Sequence, residues 1–354
     1  MKEDTFLRVL ESFPPMDYLR EAMAKGRQEL PMAVRAHASE LYERVTHYLH
    51  SEPFLSVETN LTLELASRVL FSEWFLARHP CPRYQAYTNI RVLNWALETH
   101  RLMPLSQVTE NAWRALTVMV RDLRQHELDS TGMEGMSPSP GSKIDNASLR
   151  LEKICRIESS LPHDGQVTGP APATDGPLSW MDIACDPAKS LALARFTCLP
   201  QTRNHDEYLF IRTIHCSECC FWGVLASVIG AGEAAKSNRF AQGTGMLEEG
   251  LRFAKLLTPI LDAMKTMHPA SFHAFRDATG NASAIQSRTY QRMQISLLGL
   301  DPSKIGSLVE VPELSDLLLL DHPSFKPLKK GSALNRVGNP SLKPRHSERR
   351  LPAS

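Results

Sequence analysis

The chain has 354 residues, 42% of them hydrophobic, enough to build one large domain or two smaller ones. Forty Lys and Arg against 39 Asp and Glu leave a formal charge of +1, so no global field marks a binder of nucleic acid or of an acidic membrane surface. The N-terminus carries no secretory pattern, no apolar run approaches the roughly 18 residues of a membrane span, and seven cysteines are an odd number for a disulfide framework, so the expected setting is cytoplasmic.

Residues 1–127 read as a helical region. Leu61 to Phe75, Tyr84 to Leu102 and Ser106 to Leu128 each repeat apolar residues at mostly helical spacing, and His79-Pro80-Cys81-Pro82 separates two of these helices. His47, His79 and His100 fall at or near helix ends, where a histidine is ordinarily solvated or faces the helix dipole. Residues 128–178 change character. Ser137-Pro138-Ser139-Pro140 and the stretch from Asp164 to Ala173 are poor in apolar residues, so this segment reads as a flexible linker or insertion with one short helix at 149–157.

The stretch from Asn204 to Trp222 has an acidic start, two histidines and three cysteines within an apolar helical pattern. Phe210, Ile214, Phe221, Leu225 and Val228 form one stripe; Ile211, His215, Cys219, Trp222, Ala226 and Ile229 form a second. A helix apolar on two faces is buried or covers a cofactor. Gly230 to Gly245 reads as a mobile connection, because no strand precedes Gln242-Gly243-Thr244-Gly245 and no P-loop lysine follows it. Met246 to Met267 reads as a helix kinked at Pro259, with Leu247, Leu251, Ala254, Leu257, Leu261 and Met264 facing inward. Ser271 is the expected cap of a short segment 272–277, and Ser283 with Gln286 reads as a capping box for a helix through Leu298. Pro312 to Leu320 reads as a short apolar helix. Residues 324–354 hold eight basic residues and one acidic, a disordered basic tail whose solvated state is favoured over nucleic-acid binding.

Two blocks carry a resemblance. His205-Asp206-Glu207-x-Leu209-Phe210-Ile211, with Glu218 in the same helix, resembles the distal-side helix of the tryptophan 2,3-dioxygenase family. Phe272-x-x-Phe275-Arg276-Asp277, then Ser283-x-x-Gln286-Ser287, resembles that family's second signature, at a separation of 62 positions between Phe210 and Phe272 that matches it. The resemblance covers about residues 178–300. It implies an all-α helical bundle of the tryptophan 2,3-dioxygenase type over residues 179–323, with the region 1–127 as an N-terminal addition. It also implies a homo-oligomeric oxygenase that uses haem b and dioxygen on an aromatic amino acid, L-tryptophan or an analogue.

Carried over by position, Phe210 and Phe272 would contact the substrate ring, Phe272 standing where the family has a tyrosine. Arg276 would pair with the substrate carboxylate, a task suited to a planar guanidinium. Ser283 would lie near the haem edge. The departures are equally specific: Ile214 occupies the family's distal histidine position, and an apolar side chain relays no proton. His215 comes one position later, about 100° round the helix. The family's proximal motif is absent after Arg276, which leaves His322 and His215 as the candidate iron ligands, with His79 and His100 behind them.

His215 with Cys219 also resembles the motif of haem-containing 3-methyltyrosine hydroxylases, in which the cysteine forms a single thioether to haem. The alternative reading is thus a tyrosine-type ring hydroxylase of natural-product biosynthesis, using dioxygen or peroxide. A third reading is a non-catalytic haem-binding or interaction protein of the same fold. The residue pattern alone also leaves His215 readable as a buried histidine bonded to a backbone carbonyl. Zinc at His215, Cys216, Cys219 and Cys220 lacks a second ligand pair.

Overall fold

The computed structural model describes residues 18, 21–22, 24–51, 57–79, 81–98, 105–133, 143–162, 197–311, 314 and 317. Regular structure among them is entirely helical, which establishes the all-α class. The N-terminal helices are α1 (Met32–Ser51), α2 (Val57–Arg78), the short pair α3 (Tyr84–Thr88) and α4 (Ile90–Glu98), then the long α5 (Leu105–Met133) and α6 (Lys143–Ser159). After them come α7 (His205–Lys236), α8 (Phe240–Met264), α9 (Pro269–Arg276), α10 (Arg288–Leu298) and α11 (Ile305–Glu310). The helix expected at 149–157 is therefore six residues longer at its start and packs against α5 and α8. The basic tail, His100, His322 and most of the expected helix at 312–320 lie outside the described residues.

The centre is α7, which packs against α5, α8 and α10. Its start is fixed locally: the Asn204 side chain accepts from the Asp206 amide, and the Glu207 carboxylate folds back to accept from the amides of Gln201 (3.0 Å) and Thr202 (2.8 Å). The first bond satisfies an amide that a helix entrance otherwise leaves unpaired, and the other two pin the segment before α7 to its first turn. One core joins Leu93 and Leu116 from the N-terminal helices, Ile154 of α6, Leu209 of α7 and Phe253 of α8. A second, built on Leu41, Val45, Leu63 and Leu70, reaches the segment before α7 through Leu199. By length and composition α7 could cross a membrane, contrary to the sequence expectation, yet 83% of its most apolar window is buried inside the protein. Its apolarity is spent on packing.

The connection expected at 230–245 is instead the end of α7, a tight turn at Ser237–Arg239 and the first turns of α8. The glycines are the reason. A Cβ on Gly223 would overlap the ring of Phe253, one on Gly250 would stand 2.9 Å from Ser227 Cβ, and one on Gly243 would touch the Ala231 carbonyl oxygen. Small residues thus let α7 and α8 approach closely. The register of α8 follows from that contact: Gly243, Gly250, Phe253, Leu256, Ile260 and Ala263 face inward. Leu247, Leu251 and Leu261, expected inside, are exposed.

Candidate aromatic binding site

The two stripes of α7 separate in the structure. Ile211, His215, Cys219, Trp222 and Ala226 are buried, while Phe210, Ile214 and Phe221 remain half-buried along one face. Over that face α9 places Phe272 and Phe275, and α3 places Tyr87. Phe210 meets Phe272 edge-on at 5.9 Å between ring centroids, and lies tilted against Phe275 at 5.6 Å and Tyr87 at 6.2 Å. Phe272 and Phe275 are themselves T-shaped at 5.4 Å. Edge-to-face contacts are what the ring quadrupole favours, and they leave ring faces available to a further flat group. The structure thus brings together Phe210 and Phe272, 62 positions apart in the chain.

Arg276 follows Phe272 by four residues, on the same face of α9. It is exposed, and Nη1 donates to Thr279 Oγ1 at 2.5 Å and to the Gly280 carbonyl at 3.3 Å. These bonds hold the guanidinium at the end of α9 through one nitrogen. The helix itself differs from expectation at its start, since His268 rather than Ser271 caps it, Nδ1 accepting from the Ala270 amide. Ser283 is exposed and makes no capping bond; the cap of α10 is Ser287, which accepts from the Tyr290 amide. The expected capping box is corrected accordingly. A 3-10 turn at Ala284–Gln286 ends the run before α10 can start, and Gln286 instead accepts from the Tyr84 amide at 3.1 Å.

His215 is not placed to ligate iron. Its Nε2 lies 2.7 Å from the Thr88 carbonyl oxygen and its Nδ1 3.2 Å from Arg212 Nη1, so both ring nitrogens are engaged. Arg212 can only donate, so Nδ1 is the acceptor and Nε2 carries the proton. Burial, and then the neighbouring Arg212 charge, push the imidazole pKa down to about 3. Cys219 fails as a thioether candidate for a similar reason. Its side chain is buried against Met119, Sγ to Sδ 3.9 Å, and burial raises its pKa well above the ordinary thiol value. Burial on the inner stripe thus speaks against the expected iron bond to His215 and the expected haem bond to Cys219. Cys216 and Cys220 are likewise buried and unpaired, and no group of three or more potential ligands stands together among the described residues. His79 is exposed, its ring 4.3 Å from that of Phe75.

Two polar features escaped the sequence reading. Glu218 is buried and accepts at Oε1 from the Tyr84 hydroxyl at 2.5 Å. Burial raises its pKa, and the hydroxyls of Ser287, Tyr84 and Thr289 offset only part of that. At the other end of α7, His126 stacks between His205 (4.4 Å) and Tyr208 (3.9 Å). His205 pairs with Glu127, which with Asp206 also holds Arg150. Of the acidic pair at the helix start, legible as a dipole complement, Asp206 is part of a buried ionic network while Glu207 holds the segment before α7. The partners of these groups come from α3, α5 and α6, too distant in sequence for any periodicity to reveal.

Residues 191–305 match the family model described as tryptophan 2,3-dioxygenase. A protein of that name from Ruegeria sp. (strain TM1040) is 33% identical over 123 residues, 34% of this chain and 44% of the relative. Tryptophan 2,3-dioxygenase of Burkholderia multivorans is 25% identical over 156 residues, 41% of this chain and 50% of the relative. That of Bacillus cereus is 28% identical over 111 residues, 31% and 40% respectively. The chain thus spans about half the length of the curated relatives it matches. No solved structure matches it.

Proposed function

Since residues 191–305 are a divergent relative of the tryptophan 2,3-dioxygenases, we propose that the chain binds an aromatic amino acid against Phe210 and Phe272 and acts on it as an oxygenase, with dioxygen or peroxide as co-substrate. The observation that carries this reading is the meeting of those two rings beneath one face of α9, with Arg276 one turn further along the same helix. The aromatic pair offers faces and edges to a flat substrate ring. Arg276 Nη1 is held by Thr279 and Gly280, which fixes the guanidinium for a bond to the substrate carboxylate. Ile214, one turn from Phe210, neither takes nor returns a proton, so this site performs no acid–base step at that position. Selectivity between a tryptophan and a tyrosine-like substrate then rests on ring shape rather than on a hydrogen bond to the indole N–H. A cytoplasmic homo-oligomer completes the proposal.

Haem is the cofactor that such a reading implies, supplying oxygen activation. The half-buried row Phe210, Ile214 and Phe221 suits a flat apolar ring system. The described residues do not, however, complete a haem site: His215 is engaged at both nitrogens, Cys219 is sealed in the core, and His322 lies outside the described residues. The same observation favours a second reading, a non-catalytic protein that kept the aromatic site.

The test is direct. Equilibrium dialysis of the purified chain against L-tryptophan and L-tyrosine should find saturable binding that Arg276→Ala weakens by about tenfold, or roughly 1.4 kcal/mol. Hemin titration should give a Soret band that survives His215→Gln and disappears in His322→Ala. Amino-acid binding without hemin uptake would select the non-catalytic reading. Absence of both would overturn the proposal.

A further inference from the structure

Around Glu218, one turn beyond Ile214 on α7, lies a separate polar cleft of about 250 Å³. Neither Phe210, Phe272 nor Arg276 lines it. Its floor is the carboxyl group of Glu218, in a side chain only 1% exposed. Oε1 is taken by the Tyr84 hydroxyl at 2.5 Å, while Oε2 is buried without a hydrogen-bond partner. The hydroxyls of Ser287 and Thr289 stand near the carboxyl group, yet Oε2 itself has no bond. Buried polar atoms in folded proteins are ordinarily paired, so an orphaned carboxyl oxygen facing a cleft calls for a partner brought from outside. A leucine would have filled the same volume without that demand.

The walls say what kind of partner. Arg68 of α2, Arg91 of α4 and Arg288 at the start of α10 converge on the cleft from three elements. Arg91 lies over the Phe71 ring at 4.0 Å, and Arg68 Nη1 donates to the Glu64 carbonyl at 3.0 Å and to Ser67 Oγ at 3.3 Å. Water alone would satisfy Glu218 Oε2, but it gives no reason for three arginines lining the same cleft. Guanidinium forks match the planar geometry of carboxylates and the oxygens of phosphates.

We propose that this cleft is a binding site for a small oxyanion-bearing metabolite, a carboxylate or a phosphate, whose charge is met by Arg91, Arg288 and Arg68 and one of whose oxygens meets Glu218 Oε2. Burial raises the Glu218 pKa and so favours the neutral acid form, in which Oε2–H donates to the anion while Oε1 accepts from Tyr84. Trp95 also lines the cleft, which provides an optical signal. The site stands on its own residues and does not depend on the oxygenase reading.

The experiment titrates the full chain with succinate and with inorganic phosphate at constant ionic strength, chloride serving as the control anion, and follows tryptophan fluorescence. Saturable binding of succinate or phosphate, lost in signal when Trp95→Phe is used, is expected; the tighter of the two names the source of the anion. Arg91→Gln and Arg288→Gln should each weaken it about tenfold, with Arg252→Gln, outside the cleft, as an unchanged control. Glu218→Gln keeps a donor and should retain binding within about threefold, whereas Glu218→Leu should lose it. Should an arginine variant fail to fold, phenylglyoxal labelling of the wild-type chain replaces it: bound anion should protect Arg91 and Arg288 but not Arg252. No saturable response to either anion, arginine variants that bind like wild type, or no protection would each overturn the proposal.

Discussion

His215 Nε2 donates to the Thr88 carbonyl oxygen across 2.7 Å, tying the middle of α7 to the end of α3. The imidazole is locked neutral, its pKa lowered to about 3 by burial and by Arg212. His126 is held down as well, to about 4, by burial first and then by His205. The unfolded chain takes up protons at both positions below about pH 6.5, while the folded chain does not. Their contribution is therefore fully present above pH 6.5 and is lost as pH falls towards 4 and 3. Each group adds up to about 1.4 kcal/mol of destabilisation per pH unit within its window. Glu218 acts in the opposite sense, its raised pKa favouring the fold as pH drops. Urea midpoints measured from pH 7.5 to pH 5 should fall, and His215→Gln, whose amide can still donate to Thr88, should remove about one proton from the slope. An unchanged slope would mean that His215 is not buried neutral.

The α7–α8 contact makes a paired prediction about glycine. Gly223→Ala thrusts a methyl group into the Phe253 ring, which is fully buried and stacked on Trp113 at 3.8 Å, so it has nowhere to move. Overpacking of about 1–3 kcal/mol exceeds the gain of up to ~1 kcal/mol from better helix propensity. Gly245, in the same pair of helices, meets nothing within 4 Å. Gly245→Ala should stabilise by roughly 0.5–1 kcal/mol. Thermal unfolding of the two variants should shift in opposite directions, and a shared sign would contradict the packing.

Cysteine accessibility sorts the thiols in the same way. Cys81 and Cys155 are exposed, whereas Cys198, Cys216, Cys219 and Cys220 are buried. Burial pushes the Cys198 and Cys216 thiols up to about 12, which removes the reactive thiolate at neutral pH. Iodoacetamide followed by peptide mass spectrometry should modify Cys81 and Cys155 in the native protein and the other four only in denaturant. Rapid native labelling of Cys219 would show that the inner stripe opens and would revive a covalent haem attachment there.

These contrasts locate what could be read from the sequence. The helical class and the Phe210, Ile214, Phe221 face were legible, because a 3.6-residue period survives in the apolar pattern and the second block stands at a matching distance. The register of α8 was not, because its inward face is marked by Gly243 and Gly250, which carry no hydrophobicity to detect. The role of His215 turned on Thr88, 127 positions away, and that of Glu218 on Tyr84, 134 positions away. A helix face can be inferred from spacing; the partner that fixes a polar group's charge state cannot. For the same reason Ser283 looked like a cap, while the chain spent its next three residues on a 3-10 turn and gave the cap to Ser287.

Ile214 permits the sharpest test of the aromatic site. It lies four residues from Phe210 on the half-buried face, so a histidine there would sit beside a ring bound against Phe210 and Phe272. Ile214→His should cost about 1 kcal/mol of stability, since it trades a half-buried apolar side chain for a polar one. In exchange it offers an acceptor to an indole N–H. A hydrogen bond of about 0.5–1.5 kcal/mol corresponds to roughly a two- to tenfold gain in L-tryptophan affinity. 1-Methyl-tryptophan has no N–H to donate and should gain nothing. Calorimetric titration of both ligands against both proteins gives the comparison. If the two ligands change affinity together, the substrate ring does not lie over Ile214, and the placement against Phe210 and Phe272 must be abandoned.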